Sequence, residues 1–112
     1  MGDTIFGKII RREVPATIVH EDEKTIAFLD INPRAPVHIL ICPKKPIPTL
    51  ADVTEEDLPL ISHIHKVAQD LAKKNNCAGW RMMVNVGEKG GQEVFHLHYH
   101  LLGWPEDSQD KE

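Results

Sequence analysis

The stretch HLHYHLLG, residues 96–103, sets His96, His98 and His100 at every second position, with Leu97, Tyr99 and Leu101 between them. In a β-strand successive side chains leave on opposite faces, so the three imidazoles share one face at steps of ~6.6 Å and the apolar residues share the other. A helix would scatter the same rings around its circumference. The alternation therefore predicts a strand over 96–103 with one core face and one chemical face. Three readings compete for the chemical face: a metal site, a nucleophilic or acid/base centre, or a solvated row without a role. Two strand histidines can share a zinc ion if His38 or Glu93 supplies another ligand, but the third histidine of the row lies ~13 Å from the first, too far for bonds of ~2 Å to one ion.

Such a strand needs partners, and the rest of the chain supplies them. TIFGKIIRREV places Ile5, Phe6, Ile9 and Ile10 on one helical stripe, a short amphipathic helix that ends before Pro15. TIVHEDE and TIAFLDI read as a hairpin. PVHILICP is a third strand, with Val37, Ile39 and Ile41 facing one way and His38, Leu40 and Cys42 the other. Thr54 followed by acidic residues resembles an N-cap, and Leu60, Ile61, Ile64, Val67, Ala68 and Leu71 recur at helical spacing up to KKNN. Pro59 is awkward just past the first turn of a helix that starts there. His63 and His65 diverge on that helix and are expected at surface or edge positions. RMMVNVG reads as a fourth strand, joined through the glycine turn EKGGQ to the histidine strand as an antiparallel hairpin. This order predicts an α+β domain: a five-stranded antiparallel sheet, a long helix and a short N-terminal helix. The domain spans 1–104, and residues 105–112, PEDSQDKE, are expected to be a disordered acidic tail.

Composition closes several doors. Thirteen basic against seventeen acidic residues give a net charge of −4, no field for a nucleic-acid polymer, although one phosphate needs only local donors. No apolar run nears the ~20 residues of a membrane span and the start lacks the apolar core of a signal peptide, so a cytoplasmic protein without membrane contact is expected. Cys42 and Cys77 form no CxxC and read as packing residues.

A phosphate-directed reading of the histidines uses more of their neighbourhood than a metal does. Gly90 and Gly91 allow a tight turn that exposes amide N–H groups. Asn85 and Gln92 add neutral donors, and an imidazole of ordinary pKa ~6.5 can attack phosphorus or carry a proton at neutral pH.

QEVFHLHYHLLG also resembles the histidine triad signature, three histidines alternating with apolar residues. TIFGKIIRREVP, AFLDINPRAPVHILICPKK and MVNVGEKGGQEV are similar, in the same order, to segments of its HINT branch, the nucleoside phosphoramidate hydrolases; the resemblance covers roughly residues 3–103. It implies a hydrolase that releases AMP or GMP from purine nucleoside 5′-phosphoramidates and acyl-nucleotides, without cofactor or metal, as a homodimer. It makes His98 the nucleophile that becomes a nucleotidyl-histidine, His96 and His38 its supporting histidines, and His100 and Asn85 phosphate contacts, joined by the backbone around Gly91, Gln92 and Val94. It gives Asp30 the ribose hydroxyls and Ile5, Phe6, Ile9, Val14, Ile31 and Leu40 the purine, although for Ile9 and Leu40 a place in the core is nearly as good a reading. Glu93 stands where some members carry serine beside the leaving group, and the tail WPEDSQDKE does not match the longer C-terminal segment of many members. A dinucleoside polyphosphate hydrolase of the same superfamily is the nearest alternative, ahead of a non-catalytic nucleotide-binding or zinc-binding regulatory module. The run WRMMVNVG, apolar on both faces in its first half, is more than one sheet would hide, and the resemblance covers it by pairing this strand and the preceding helix with their counterparts across a two-fold axis.

Overall fold

The computed structural model describes residues 3–107. Helix α1 (Ile5–Ile10) is followed by β1 (Ile18–Glu21), β2 (Thr25–Leu29) and β3 (Val37–Pro43), then α2 (Leu58–Lys74), β4 (Cys77–Met83) and β5 (Tyr99–Pro105). The five strands form one antiparallel sheet in the order β1-β2-β3-β5-β4, the α+β architecture expected.

The alternation of β3 divides the molecule into two apolar layers. Ile39 and Ile41 join Leu97, Tyr99 and Leu101 under Ile64, Val67, Ala68 and Leu71 of α2. Leu40 and Cys42 turn to the other face, where they meet Ile26, Phe28, Phe6 and Ile9. Helix α2 covers β3, β4 and β5 on the first face. Phe6 and Ile9 of α1 pack on this second face, and the ladder positions of His38 and His100 lie on the same face. Each fully buried aliphatic side chain here is worth ~1.5–3 kcal/mol, which fixes the register that separates the two faces.

Several boundaries differ from expectation for identifiable reasons. The long helix starts at Leu58, after a 3-10 turn over Glu55–Asp57 in which Thr54 and Asp57 form a reciprocal capping box. Pro59 then falls in the first helical turn, where its missing N–H costs nothing. Strand β4 begins at Cys77 and stops at Met83, so only the first part of RMMVNVG is strand and residues 84–98 form a long connection instead of a tight hairpin. Strand β5 begins at Tyr99, which leaves His96 and His98 outside the regular ladder. Pro105 ends β5 opposite Cys77 instead of opening a tail, and the Glu106 amide donates to Asn76 O (3.1 Å). The remainder of the expected tail, 108–112, lies outside the described residues. His63 is half-exposed and donates to Asp22 Oδ2 (2.8 Å), which also accepts from His20 (2.7 Å), so the turn between β1 and β2 is tied to α2. No helix among the described residues is long and apolar enough to cross a membrane.

Candidate active site

A cavity of about 710 Å³ opens on this second face of the sheet, a size suited to a small-molecule ligand. Ile5, Phe6, Ile9, Val14, Ile31 and Leu40 line its apolar part, and Asp30, Asn85, Gly91, Glu93, Val94, His98 and His100 bring polar groups and backbone to it. Ile9 and Leu40 belong to the core at the same time, both being buried in the α1-side cluster. Ile31 is 90% exposed and so forms rim rather than floor. Phe28, Leu29, Pro15, Ala16, Asn32 and Arg34 line the cavity as well and were not singled out from the sequence.

The histidines keep their alternation outside the ladder because the chain before β5 is pinned to the end of β3. The Leu97 amide donates to Ile47 O (2.7 Å) and His96 Nε2 donates to Pro43 O (2.7 Å). His96 therefore lies beneath the cavity, not in its wall. His98 Nδ1 bonds the carbonyl of His96 (2.8 Å). A carbonyl can only accept, so Nδ1 carries the hydrogen and Nε2 keeps its lone pair. Burial holds the His98 imidazole below its ordinary pKa, outweighing the carbonyl bond that favours the cation. A neutral ring with a free Nε2 lone pair at a cavity wall can attack an electrophile. Phe6 packs against that ring in a T-shaped contact, with centroids 4.9 Å apart and planes at 85°, and restricts its plane.

Register creates the second pair. Leu40 lies opposite His100 and His38 opposite Leu102, so His38 and His100 are diagonal neighbours on one face. The amide of Arg34 donates to His38 Nδ1 (3.0 Å), which places the His38 hydrogen on Nε2. His38 Nε2 in turn meets His100 Nδ1 at 2.9 Å, so His100 carries its hydrogen on Nε2 as a donor. Desolvation, then the neighbouring His98, His38 and Arg34, push the His100 imidazole down to about 4, while Asp30 pulls the other way. His38 and His96 are also held below the ordinary imidazole range, in each case first by burial.

Asp30 is fixed by its own loop. Its Oδ1 accepts the Asn32 amide (2.8 Å), and its Oδ2 lies 3.4 Å from His38 Nε2. Asp30, His38 and His100 bring ligand atoms within 4.8 Å of one another, a spacing that would admit a cation. The imidazole nitrogens that face each other there are joined by a hydrogen bond, and we assign no metal to them.

The glycine loop stands opposite. Gly91 has φ +94°, open only to glycine at low cost, and a Cβ on Gly90 would run into the Val86 carbonyl. Gln92 is not a cavity residue. It is 4% exposed, and its side chain accepts from the Gly87 amide (2.9 Å) and donates to Pro48 O (2.8 Å) and Val94 O (2.9 Å). The donor expected for a ligand is spent on holding the loop. Glu93 and Val94, next in sequence, reach the cavity wall.

Comparison with known proteins adds the lineage. A family model described as "Scavenger mRNA decapping enzyme C-term binding" matches residues 3–112. An uncharacterized HIT-like protein of Synechococcus elongatus is 50% identical over 109 residues, 92% of this chain and 96% of its own length. The purine nucleoside phosphoramidase of Escherichia coli is 48% identical over 103 residues, 90% of this chain and 87% of its own. Among solved structures, a HIT family hydrolase from Legionella pneumophila matches with a TM-score of 0.89 at 44% identity, covering 96% of this chain and 97% of that one.

Proposed function

Because the chain belongs to the histidine triad (HIT) superfamily, we propose that it hydrolyses purine nucleoside 5′-phosphoramidates and acyl-nucleotides through a nucleotidyl-histidine on His98. The observation that carries this reading is the bond from His98 Nδ1 to the carbonyl of His96 at 2.8 Å, which leaves the Nε2 lone pair for the cavity. The purine occupies the slot of Ile5, Phe6, Ile9, Val14 and Leu40, with Ile31 at its rim, and Asp30 accepts the ribose hydroxyls with its two carboxylate oxygens. His98 Nε2 attacks the α-phosphorus, and the P–N bond breaks with its electron pair going to nitrogen, which takes a proton from solvent and leaves as the amine; the water that attacks in the second step returns that proton to solvent. Glu93, which lines the cavity, holds the departing nitrogen. The phosphoryl oxygens are met by the His100 Nε2–H, Asn85 and the backbone from Gly91 to Val94. Water then attacks phosphorus, nucleoside monophosphate departs, and His98 returns to its neutral form. His96 and His38 act as positioning residues that set the hydrogen on each ring. The 48% identity to a protein named purine nucleoside phosphoramidase supports this substrate class. In this reading the working form is a two-fold dimer joined along β4 and α2.

His98→Asn tests the scheme. Turnover of an adenosine 5′-phosphoramidate is expected to fall by at least ~10³-fold while AMP affinity stays within a few fold, since the purine and ribose contacts lie elsewhere. Dialysis of the native protein against a chelator should leave its rate unchanged. A His98→Asn rate near that of the native protein would sink the mechanism, and stoichiometric zinc whose removal abolishes activity would favour the metal reading.

A further inference from the structure

The loop DINPRAP joins β2 to β3, and two prolines frame Arg34 within it. Pro33 and Pro36 fix their own φ angles and restrict the residues before them, so the loop presents the Arg34 amide from a stiff frame. That amide donates to His38 Nδ1 at 3.0 Å. The side chain of the same residue then folds back, and its Nη2 lies 3.4 Å from His100 Nδ1, 66 positions along the chain. Among the described residues, Arg34 is the one Lys or Arg in the cavity wall.

The two contacts fall on the two nitrogens where the pair could take up a proton. His38 already carries a hydrogen on Nε2 and has its lone pair on Nδ1; His100 has its lone pair on Nδ1. We propose that Arg34 is a positioning residue for the His38–His100 pair, its amide occupying the His38 Nδ1 lone pair and its guanidinium setting a positive charge 3.4 Å from His100 Nδ1, whose lone pair accepts the His38 Nε2–H, and that it so keeps the pair neutral and the His100 Nε2–H available to the cavity. A proton added at His100 Nδ1 would confront the His38 Nε2–H and the guanidinium together, and the 2.9 Å bond between the rings would break. The groups facing the pair divide by sign. Asp30, at the end of β2, favours proton uptake; Arg34 and His98 oppose it. Glu93 lines the same cavity. Without Arg34 the balance shifts toward Asp30, so uptake moves to higher pH.

The proposal takes from the proposed function only the role of His100 as a phosphate donor, and its test reads the imidazoles directly in the free protein. Long-range proton–nitrogen correlation spectra, followed from pH 8 to pH 4, report which nitrogen carries hydrogen and where each ring titrates. In the native protein His100 should show hydrogen on Nε2 alone through most of this range. In Arg34→Gln, which keeps the amide and loses the charge, the His100 midpoint should rise by roughly 0.5–1 pH unit. Arg34→Lys, which keeps the charge, should shift it by less than half as much. The ratio of kcat/KM at pH 5 to that at pH 8 should fall in Arg34→Gln. An unmoved midpoint and unchanged tautomer in Arg34→Gln would overturn the proposal. So would a loss of kcat/KM by the same factor at both pH values, which would mean that the guanidinium contacts the substrate itself. If the native protein turns over no phosphoramidate, the imidazole spectra still decide the question.

Discussion

His98 owes its proposed role to a carbonyl two residues back in its own chain. The spacing His96, His98, His100 was legible because alternation states which side chains share a face, and the partition of Leu97, Tyr99 and Leu101 into the core is what the structure shows. The tautomers were not legible, since they depend on which backbone atoms the fold brings to each ring. Arg34 escaped notice for the same reason: its amide and guanidinium meet histidines that only the β3–β5 register brings together. Glu93 was flagged from the sequence, and it does reach the cavity wall. A phosphoramidate must expel an amine, and a group that holds or protonates nitrogen matters most when that amine is a poor leaving group. Across a series of amines, Glu93→Ala is expected to lower kcat/KM roughly tenfold or more for strongly basic leaving groups and little for good ones, with Glu93→Ser milder. Equal losses across the series, or none, would return Glu93 to the solvent.

Elements were legible where apolar periodicity is long and blurred where the chain is held by side chains. Helix α2 was clear from its apolar stripe, but its start was set by the Thr54–Asp57 capping box, which moves Pro59 into the tolerated first turn. The glycines of the connection 84–98 suggest a tight hairpin turn, whereas its shape depends on Gln92 reaching Pro48, 44 positions away. That bond crosses from the glycine loop to the chain after β3, and sequence proximity says nothing of it. Gln92→Ala leaves the Gly87 amide and the Pro48 and Val94 carbonyls without their partner. A loss of about 2 kcal/mol in chemical denaturation is expected, with a fall in kcat larger than any change in AMP affinity. Unchanged stability would mean that the loop is held by something other than this amide.

At the scale of the whole molecule, β4 is a sheet edge, with β5 on one side and no strand on the other among the described residues. Its residues Ala78–Arg81 are exposed, and Trp80 keeps 41% of its surface accessible beside an Arg81 guanidinium stacked on Trp104. An uncovered edge with a large aromatic on it favours pairing with another strand. Sedimentation equilibrium should therefore give a dimer, and Trp80→Asp should shift it toward monomer; a native monomer at every concentration would contradict the assembly. The succession of elements, the antiparallel sheet and its two faces follow from patterning, whereas the strand order β1-β2-β3-β5-β4 does not, and nothing in one chain's pattern states what lies beyond its edge. The proposed reaction turns on one bond, between phosphorus and His98 Nε2. Mixing the protein with an adenosine 5′-phosphoramidate for milliseconds, quenching in alkali because a phosphorus–imidazole bond is acid-labile, and mapping the digest by mass spectrometry looks for that bond directly. The expected result is an adenylyl group on the His98 peptide that appears before product, decays with water attack and is absent in His98→Asn; continued turnover with no label on His98, or label on His96 or His100 instead, would contradict the account.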